Sequence, residues 1–275
     1  MKRIKLPTIL VALAAAMAVF GSCQRAASSA PAAQDTSLEY VMGRSKLIMG
    51  LDDSFPPMGY RNEQNEIVGY DVDLATEVAQ RLGIELVLQP IDWNAKEQEL
   101  ATKEIDCIWN GFSITEERKL AITYTPPYLA NAQVIIVRRN SPINTIADLA
   151  GRTLGLQAGS SSVDALDNAL ELKESLRNVI EYRDYLTALM DLDVGGVDAI
   201  LIDLVVANDN ISRSGKDFRL LEETLEIEEF GIGFRKGDEA LMNEVWKTLL
   251  DMANDGTVES ITTAWFGSNI SLIGK

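Results

Sequence analysis

Hydrophobic and polar positions along this chain follow two periods in alternation. Leu74, Val78 and Leu82 recur every fourth residue, with Ala75 and Ala79 beside them, between Asp71 and Gly83. This stripe predicts an amphipathic helix, capped by Asp71 and stopped by Gly83. Short apolar runs predict strands at 46–51, 84–88 and 105–109, with an extended piece at 66–70 and a helix around 95–102. Strands that alternate with helices imply a mainly parallel sheet with helices on its faces. A second series begins at 133–137. It continues through a helical turn at 146–149, strands at 154–156, 179–182 and 197–202, and helices at 163–170 and 186–192. The stretches 230–234 and 241–252 close the chain. Two α/β units, each with its own run of strands, are therefore expected.

The first residues break this pattern. Lys2, Arg3 and Lys5 precede an apolar run from Leu6 to Phe20. That run is shorter than the roughly 20 residues a spanning helix prefers. It fits a secretory signal peptide over residues 1–22. Phe20-Gly21-Ser22-Cys23 resembles the lipobox of bacterial lipoproteins, with Phe20 where leucine is usual. The resemblance implies that Cys23 carries lipid and begins the mature chain. Residues 23–43 are expected to act as a flexible tether, because Gln24 to Ser37 is rich in Ala and Ser and poor in apolar bulk.

Composition removes several chemistries. The 275 residues contain no histidine, which excludes Ser-His-Asp and Cys-His catalysis and any His-ligated metal. Cys23 and Cys107 are the only cysteines, so a lipidated Cys23 leaves no disulfide within the chain. Cys107 lies in an apolar run and reads as a small buried hydrophobe. No zinc spacing occurs, and no cofactor or metal is expected. The net charge is −16, and the leader's three cations make the mature chain more acidic still. Such a surface disfavours nucleic acid and anionic headgroups.

In open α/β sheets, ligands bind beyond the carboxyl ends of the strands. The residues there are Asp52 to Phe55, Asp92-Trp93, Asn110 to Ser113, Gln157 to Ser162, and Asp203, with Arg118 shortly downstream of Ser113. An amino acid zwitterion needs a cationic fork and N–H donors for its carboxylate, and an anion and carbonyls for its ammonium. Arg118 supplies the fork. Ser160, Ser161 and Ser162 precede a helix, where free N–H groups and hydroxyls favour an anion. Asp203 suits an ammonium, and Phe55 and Trp93 suit an apolar stem. Taken singly, each residue also fits a structural role. Arg118 could pair with Glu116 or Glu117, Ser160–Ser162 and Asp203 could cap helices, and Phe55 and Trp93 could be core.

An ordered run of motifs then resembles a known family. The segments are Asp52-Asp53-Ser54-Phe55-Pro56-Pro57, Gly69 to Leu74, Ile105 to Gly111, Ser113 to Arg118, Tyr124 to Tyr128, Gly155 to Ser161, and Gly196 to Ala199 with Asp203. Over residues 44–268 the chain resembles the family-3 extracellular solute-binding proteins, the polar amino acid-binding proteins of ABC importers. The resemblance implies a type II periplasmic-binding-protein fold, with two Rossmann-like α/β lobes joined by two hinge strands. Lobe 1 would comprise 44–131 and 229–275, and lobe 2 residues 132–228, with crossings near 130–133 and 227–230. It also implies that Arg118 and Ser161 hold the ligand carboxylate, and Asp203 with the carbonyl of Gly111 or Asn110 the ammonium. Asp52, Phe55 and Trp93 would line the side-chain pocket; Ser113, Gln157 and Ser160 complete the expected site. Many relatives carry a hydroxyl residue where Gly111 stands, which leaves the ammonium more dependent on Asp203 and backbone carbonyls.

The implied protein is not an enzyme. It is a monomeric, lipid-anchored protein of the periplasm or cell surface, closing on a free amino acid and presenting it to a membrane permease. Asp52 suits an Arg, Lys, His or Gln side chain; cystine is the alternative ligand. A dehydratase of prephenate-like acids on the same fold is the competing enzyme reading, and a sensory module a further one.

Overall fold

The computed structural model describes residues 34–275. The expected signal peptide, the lipidation site Cys23 and the first part of the expected tether lie outside the described residues.

The described chain opens with helix α1 (Ser37–Arg44) and strands β1 (Lys46–Leu51), β2 (Ser54–Phe55), β3 (Gly59–Arg61) and β4 (Ile67–Val68). Helix α2 (Tyr70–Leu82), β5 (Glu85–Pro90), α3 (Lys96–Ala101), β6 (Cys107–Ile108) and β7 (Ile122–Tyr124) follow. The long strand β8 (Leu129–Arg138) leads into β9 (Thr153–Gln157), α4 (Ser161–Asn168), α5 (Leu170–Ser175), β10 (Asn178–Tyr182), α6 (Tyr185–Val194), β11 (Ala199–Asp203) and α7 (Leu204–Arg213). Strand β12 (Phe218–Phe230) returns to β13 (Gly233–Arg235), and α8 (Glu239–Asn254) and α9 (Thr257–Phe266) close the fold.

Two five-stranded sheets result, ordered β5-β1-β6-β13-β7 and β10-β9-β11-β8-β12, with β2, β3 and β4 in a small antiparallel sheet. β1 is parallel to β5 and β6, and β9 is parallel to β10 and β11. These are the strands that the strand–helix alternation predicted. Strands laid down where the chain changes lobe run antiparallel: β8 against β11 and β12, and β13 against β6 and β7. Side by side, β8 and β12 carry the chain between the lobes, pairing Ala132 with Ile227 and Leu129 with Phe230.

Helix α2 forms as its stripe demands. Leu74, Ala75 and Val78 are fully buried, and Gly83 ends the helix in the left-handed conformation at φ 69°, its N–H bonded to the Ala79 and Gln80 carbonyls. Asp71 corrects the expected cap. The N-cap is Gly69, and the Asp71 side chain points into the core. Residues 37–43, expected as the end of the tether, are helical. Val41 is buried, and the Ser37 hydroxyl accepts the Leu241 N–H at the start of α8. Cys107 is a free, fully buried thiol whose ionisation burial strongly disfavours.

β12 escapes an apolar-pattern reading. Its sequence carries Glu222, Glu223, Glu226, Glu228 and Glu229, and its register shifts twice between Leu220 and Glu226. As an edge strand it needs one paired side and tolerates charge on the other, which also blunts the edge against further pairing.

Candidate functional site

The carboxyl ends of β1, β6, β9 and β11 face one another across the seam between the lobes. Asp52 follows β1 and is buried. Its N–H donates to Asn110 Oδ1 at 3.1 Å, and its carboxylate accepts Ser54 N–H at 2.8 Å and, from the opposite lobe, Gln157 Nε2 at 2.7 Å. Burial outweighs these donors and pushes its carboxyl up to about 6. Phe55 sits beside it, with its ring 5.9 Å from that of Tyr185 in α6. Trp93 packs edge-on to Phe112 at 5.8 Å, with the Lys96 ammonium 5.2 Å from its ring centre. The two expected stem-binding aromatics are thus both buried, each with its own ring partner.

Asn110 and Gly111 follow β6. Gly111 adopts φ 57°, and a Cβ there would lie 2.8 Å from Phe55 and 3.1 Å from Phe230. A hydroxyl side chain has no room at this position, which gives a physical reason for the glycine. The Gly111 N–H is held by Asp71 Oδ2 at 2.8 Å, which also accepts the Tyr128 hydroxyl at 2.8 Å. Asp71 is therefore a support for the loop, and burial raises its carboxyl to about 7.

Arg118 is buried, and its guanidinium lies 4.8 Å from the centre of the Phe112 ring. Nη1 donates to the Ser113 carbonyl at 3.1 Å and Nη2 to the Gly159 carbonyl of the other lobe at 3.2 Å. Glu116 instead pairs with Lys119 at 2.7 Å, and the carboxylate nearest Arg118 is that of Glu97, at 3.8 Å. The alternative of a surface pair with Glu116 or Glu117 is not formed. Lys96 shares the Gly159 carbonyl at 2.7 Å. Burial, then the Arg118 charge, lowers the Lys96 ammonium to about 7. A cavity of about 450 Å³ opens beside these groups, lined by Lys96, Arg118, Gly159, Ser160 and Asp164 among others. Asp52, Phe55, Trp93, Gly111 and Asp203 do not line it.

Lobe 2 presents Ser160, Ser161 and Ser162 at the start of α4. None of the three caps the helix through the Ser160 side chain, which instead donates to the Gln157 carbonyl at 2.7 Å. The Ser161 hydroxyl reaches across to Ser113 Oγ at 3.0 Å and to Glu228 Oε2 at 3.2 Å. Ser162 donates to Gln133 Oε1 at 2.5 Å. Asp203 begins α7 without capping it. Its Oδ1 accepts Asn131 Nδ2 at 2.6 Å and Gln133 Nε2 at 3.0 Å. Burial, then the charge of Glu228, pushes the Asp203 carboxyl up to about 8.

The structure gathers ten of the eleven expected residues around this seam, and packs Trp93 against Phe112 in a core cluster beside it. It adds Lys96, Asn131, Gln133, Tyr185 and Glu228. Asn131 and Gln133 carry a legible signal, as polar side chains two apart on one face of the otherwise apolar β8. Lys96 and Glu228 carry none, one being an isolated lysine and the other one glutamate among several.

Known proteins of similar sequence and structure share this arrangement of lobes. The model of the bacterial extracellular solute-binding proteins, family 3, matches residues 47–268. The L-cystine-binding protein TcyJ of Escherichia coli (strain K12) is 30% identical, over 87% of this chain and 89% of its own. The crystal structure of Tv2483 bound to L-arginine is 35% identical with a TM-score of 0.84, covering 88% of this chain and 99% of that one. An ABC uptake transporter substrate-binding protein from Streptococcus pneumoniae with bound histidine is 35% identical with a TM-score of 0.83, covering 86% and 98%. Matched by the family model over nearly the whole described chain, this protein belongs to the bacterial extracellular solute-binding proteins, family 3.

Proposed function

We propose that this protein is the substrate-binding lipoprotein of an amino acid ABC importer, anchored outside the cytoplasm through Cys23, taking one free L-amino acid between its lobes. The observation that carries the reading is a buried guanidinium, Arg118, and a buried carboxylate, Asp203, on opposite lobes of one seam. A zwitterion complements that pair.

In this reading the ligand carboxylate sits on the Arg118 fork and the hydroxyl and N–H of Ser161, displacing the Gly159 carbonyl from Arg118. The ammonium sits on Asp203 and on the carbonyl of Gly111 or Asn110, and Asp52, Phe55 and Trp93 take the side chain. Ligand docks on lobe 1 and lobe 2 closes over it, because contacts made from both sides exist only in the closed state. The permease reads that closed form. Residues 44–131 with 229–275, and 132–228, are the two bodies that move.

Asp52 favours Arg, Lys, His or Gln as ligand; the likeness to a cystine-binding protein supports cystine as the second reading. Asp52→Asn separates them. Titration calorimetry at pH 7.5 should show affinity for a cationic side chain falling about tenfold, the worth of a charge-assisted hydrogen bond. A glutamine ligand should change less than threefold. Equal affinity of both proteins for every basic amino acid removes Asp52 from the pocket. A dehydratase on this fold would use Asp203, which holds its proton to about 8, as an acid. Turnover of a prephenate-like acid by the purified protein would replace the transport reading.

A further inference from the structure

Two buried carboxylates, not one, meet at the seam beside Ser161. Glu228 lies on β12, is buried, and places Oε2 within 2.7 Å of Ser113 Oγ on lobe 1 and 3.2 Å of Ser161 Oγ on lobe 2. The same oxygen accepts Asn131 Nδ2 at 3.0 Å and Gln133 Nε2 at 3.1 Å. Those two amides also hold Asp203 Oδ1, so one pair of donors serves both acids. Among the described residues neither acid forms an ion pair. The other groups facing them are Tyr185 from α6, whose phenol burial holds protonated, and Glu226 from β12 itself, its carboxyl raised by burial and then by Glu228. Arg118 is tied to the same loop, donating to the Ser113 carbonyl while the Ser113 hydroxyl serves Glu228. A second feature marks a missing donor. Asn131 is almost wholly buried, its Nδ2 bridges the two acids, and its Oδ1 has no partner. Acceptors from three side chains therefore converge where a cation with several N–H groups would fit.

We propose that Glu228 is a further ligand-binding residue, which with Asp203 forms a two-carboxylate seat for the ligand's ammonium and gives up one proton to solvent as the amino acid binds. This rests on the amino acid reading above. Without ligand, burial and the neighbouring Glu228 raise the Asp203 carboxyl, so Asp203 retains its proton near neutral pH. An arriving ammonium brings its own positive charge and makes that proton redundant. The proton leaves to water, and the bound state holds two carboxylates against one cation. Affinity must then rise with pH until Asp203 ionises without help, near pH 8. Glu228 also touches serines of both lobes from a hinge strand, so the same contact couples ligand charge to closure.

The test is titration calorimetry of the full-length protein with L-arginine, L-histidine and L-cystine, in phosphate and in Tris at pH 7, and across pH 6–8.5. For whichever amino acid binds, the wild type should release about one proton per ligand, and its Kd should fall about tenfold per pH unit between 6 and 7.5. Glu228→Gln keeps the side-chain shape. It should reduce the proton release and flatten the slope, because burial alone still raises Asp203, and bind about tenfold more weakly at pH 8.5. A merely structural role for Glu228 would shift stability and leave proton count and slope unchanged. If the wild type binds with no proton released, or Glu228→Gln binds with the wild-type count and slope, the inference fails and the transport reading stands. If none of the twenty amino acids or cystine binds the folded wild type, the transport reading fails and this one with it.

Discussion

Replacing Arg118 by alanine is expected to weaken amino acid binding by tens- to thousands-fold while the protein stays folded. The guanidinium is buried, has no carboxylate closer than 3.8 Å, and spends its donors on the carbonyls of Ser113 and Gly159. Carbonyls and the one long pair with the half-exposed Glu97 compensate its charge only weakly, and a ligand carboxylate supplies a close partner. Truncating one member of a buried, hydrogen-bonded charge pair costs roughly 2–5 kcal/mol, and every 1.4 kcal/mol is about tenfold in Kd. Arg118→Lys should fall between wild type and alanine, because a point charge replaces a bidentate fork. Calorimetry of the three proteins, with circular dichroism to confirm folding, gives the order. A change below threefold in a folded Arg118→Ala protein would take the carboxylate away from Arg118.

The largest stability effect is expected at Asp71, which lies away from the seam in sequence but holds its floor. One fully buried oxygen of Asp71 accepts both the Gly111 N–H and the Tyr128 hydroxyl. Asp71→Ala leaves the buried Tyr128 hydroxyl without an acceptor and the Gly111 N–H with only its longer bond to Tyr128 Oη at 3.2 Å, a loss of about 2–5 kcal/mol. For a domain of this size that lowers Tm by about 5–15 °C. Asp71→Asn keeps an acceptor oxygen, and the native carboxyl is already raised to about 7, so losing its charge near neutral pH should be milder. Thermal melts of the two variants settle the order, and equal Tm values for Asp71→Ala and wild type would refute the supporting role. Because Gly111 sits at positive φ against Phe55, any loosening there should also weaken ligand binding.

Asp71 shows where sequence reasoning stops. A carboxylate just before a helical stripe reads as a cap, and here the neighbouring glycine takes that position while the aspartate turns inward to a loop forty residues away. Local pattern cannot report a partner so distant in sequence. The stripe itself, Leu74, Val78 and Gly83, was fully legible because helix periodicity and a left-handed stop are local properties. The parallel strands were legible for the same reason. β12 was not, since its glutamates hide an edge strand whose only constraint is pairing with β8. Within the candidate site, position after a strand end pointed to ten of the eleven residues, a consequence of how open sheets place loops, and Arg118 came from shortly downstream of one such loop. Glu228 and Lys96 come from the hinge and from a helix start, where no such rule applies. Their roles follow from burial and from shared partners: the donors that Glu228 shares with Asp203, and the Gly159 carbonyl that Lys96 shares with Arg118.

The most direct test of amino acid binding is a thermal-shift screen of the purified, ligand-free protein against the twenty amino acids and cystine. At 100 times its dissociation constant a ligand adds about 2.7 kcal/mol, a rise of several degrees. One amino acid or a small chemical group of them, with a basic or amide side chain, should raise Tm by that amount and leave the others at baseline. A flat response across the whole panel from well-folded protein would contradict the proposed function.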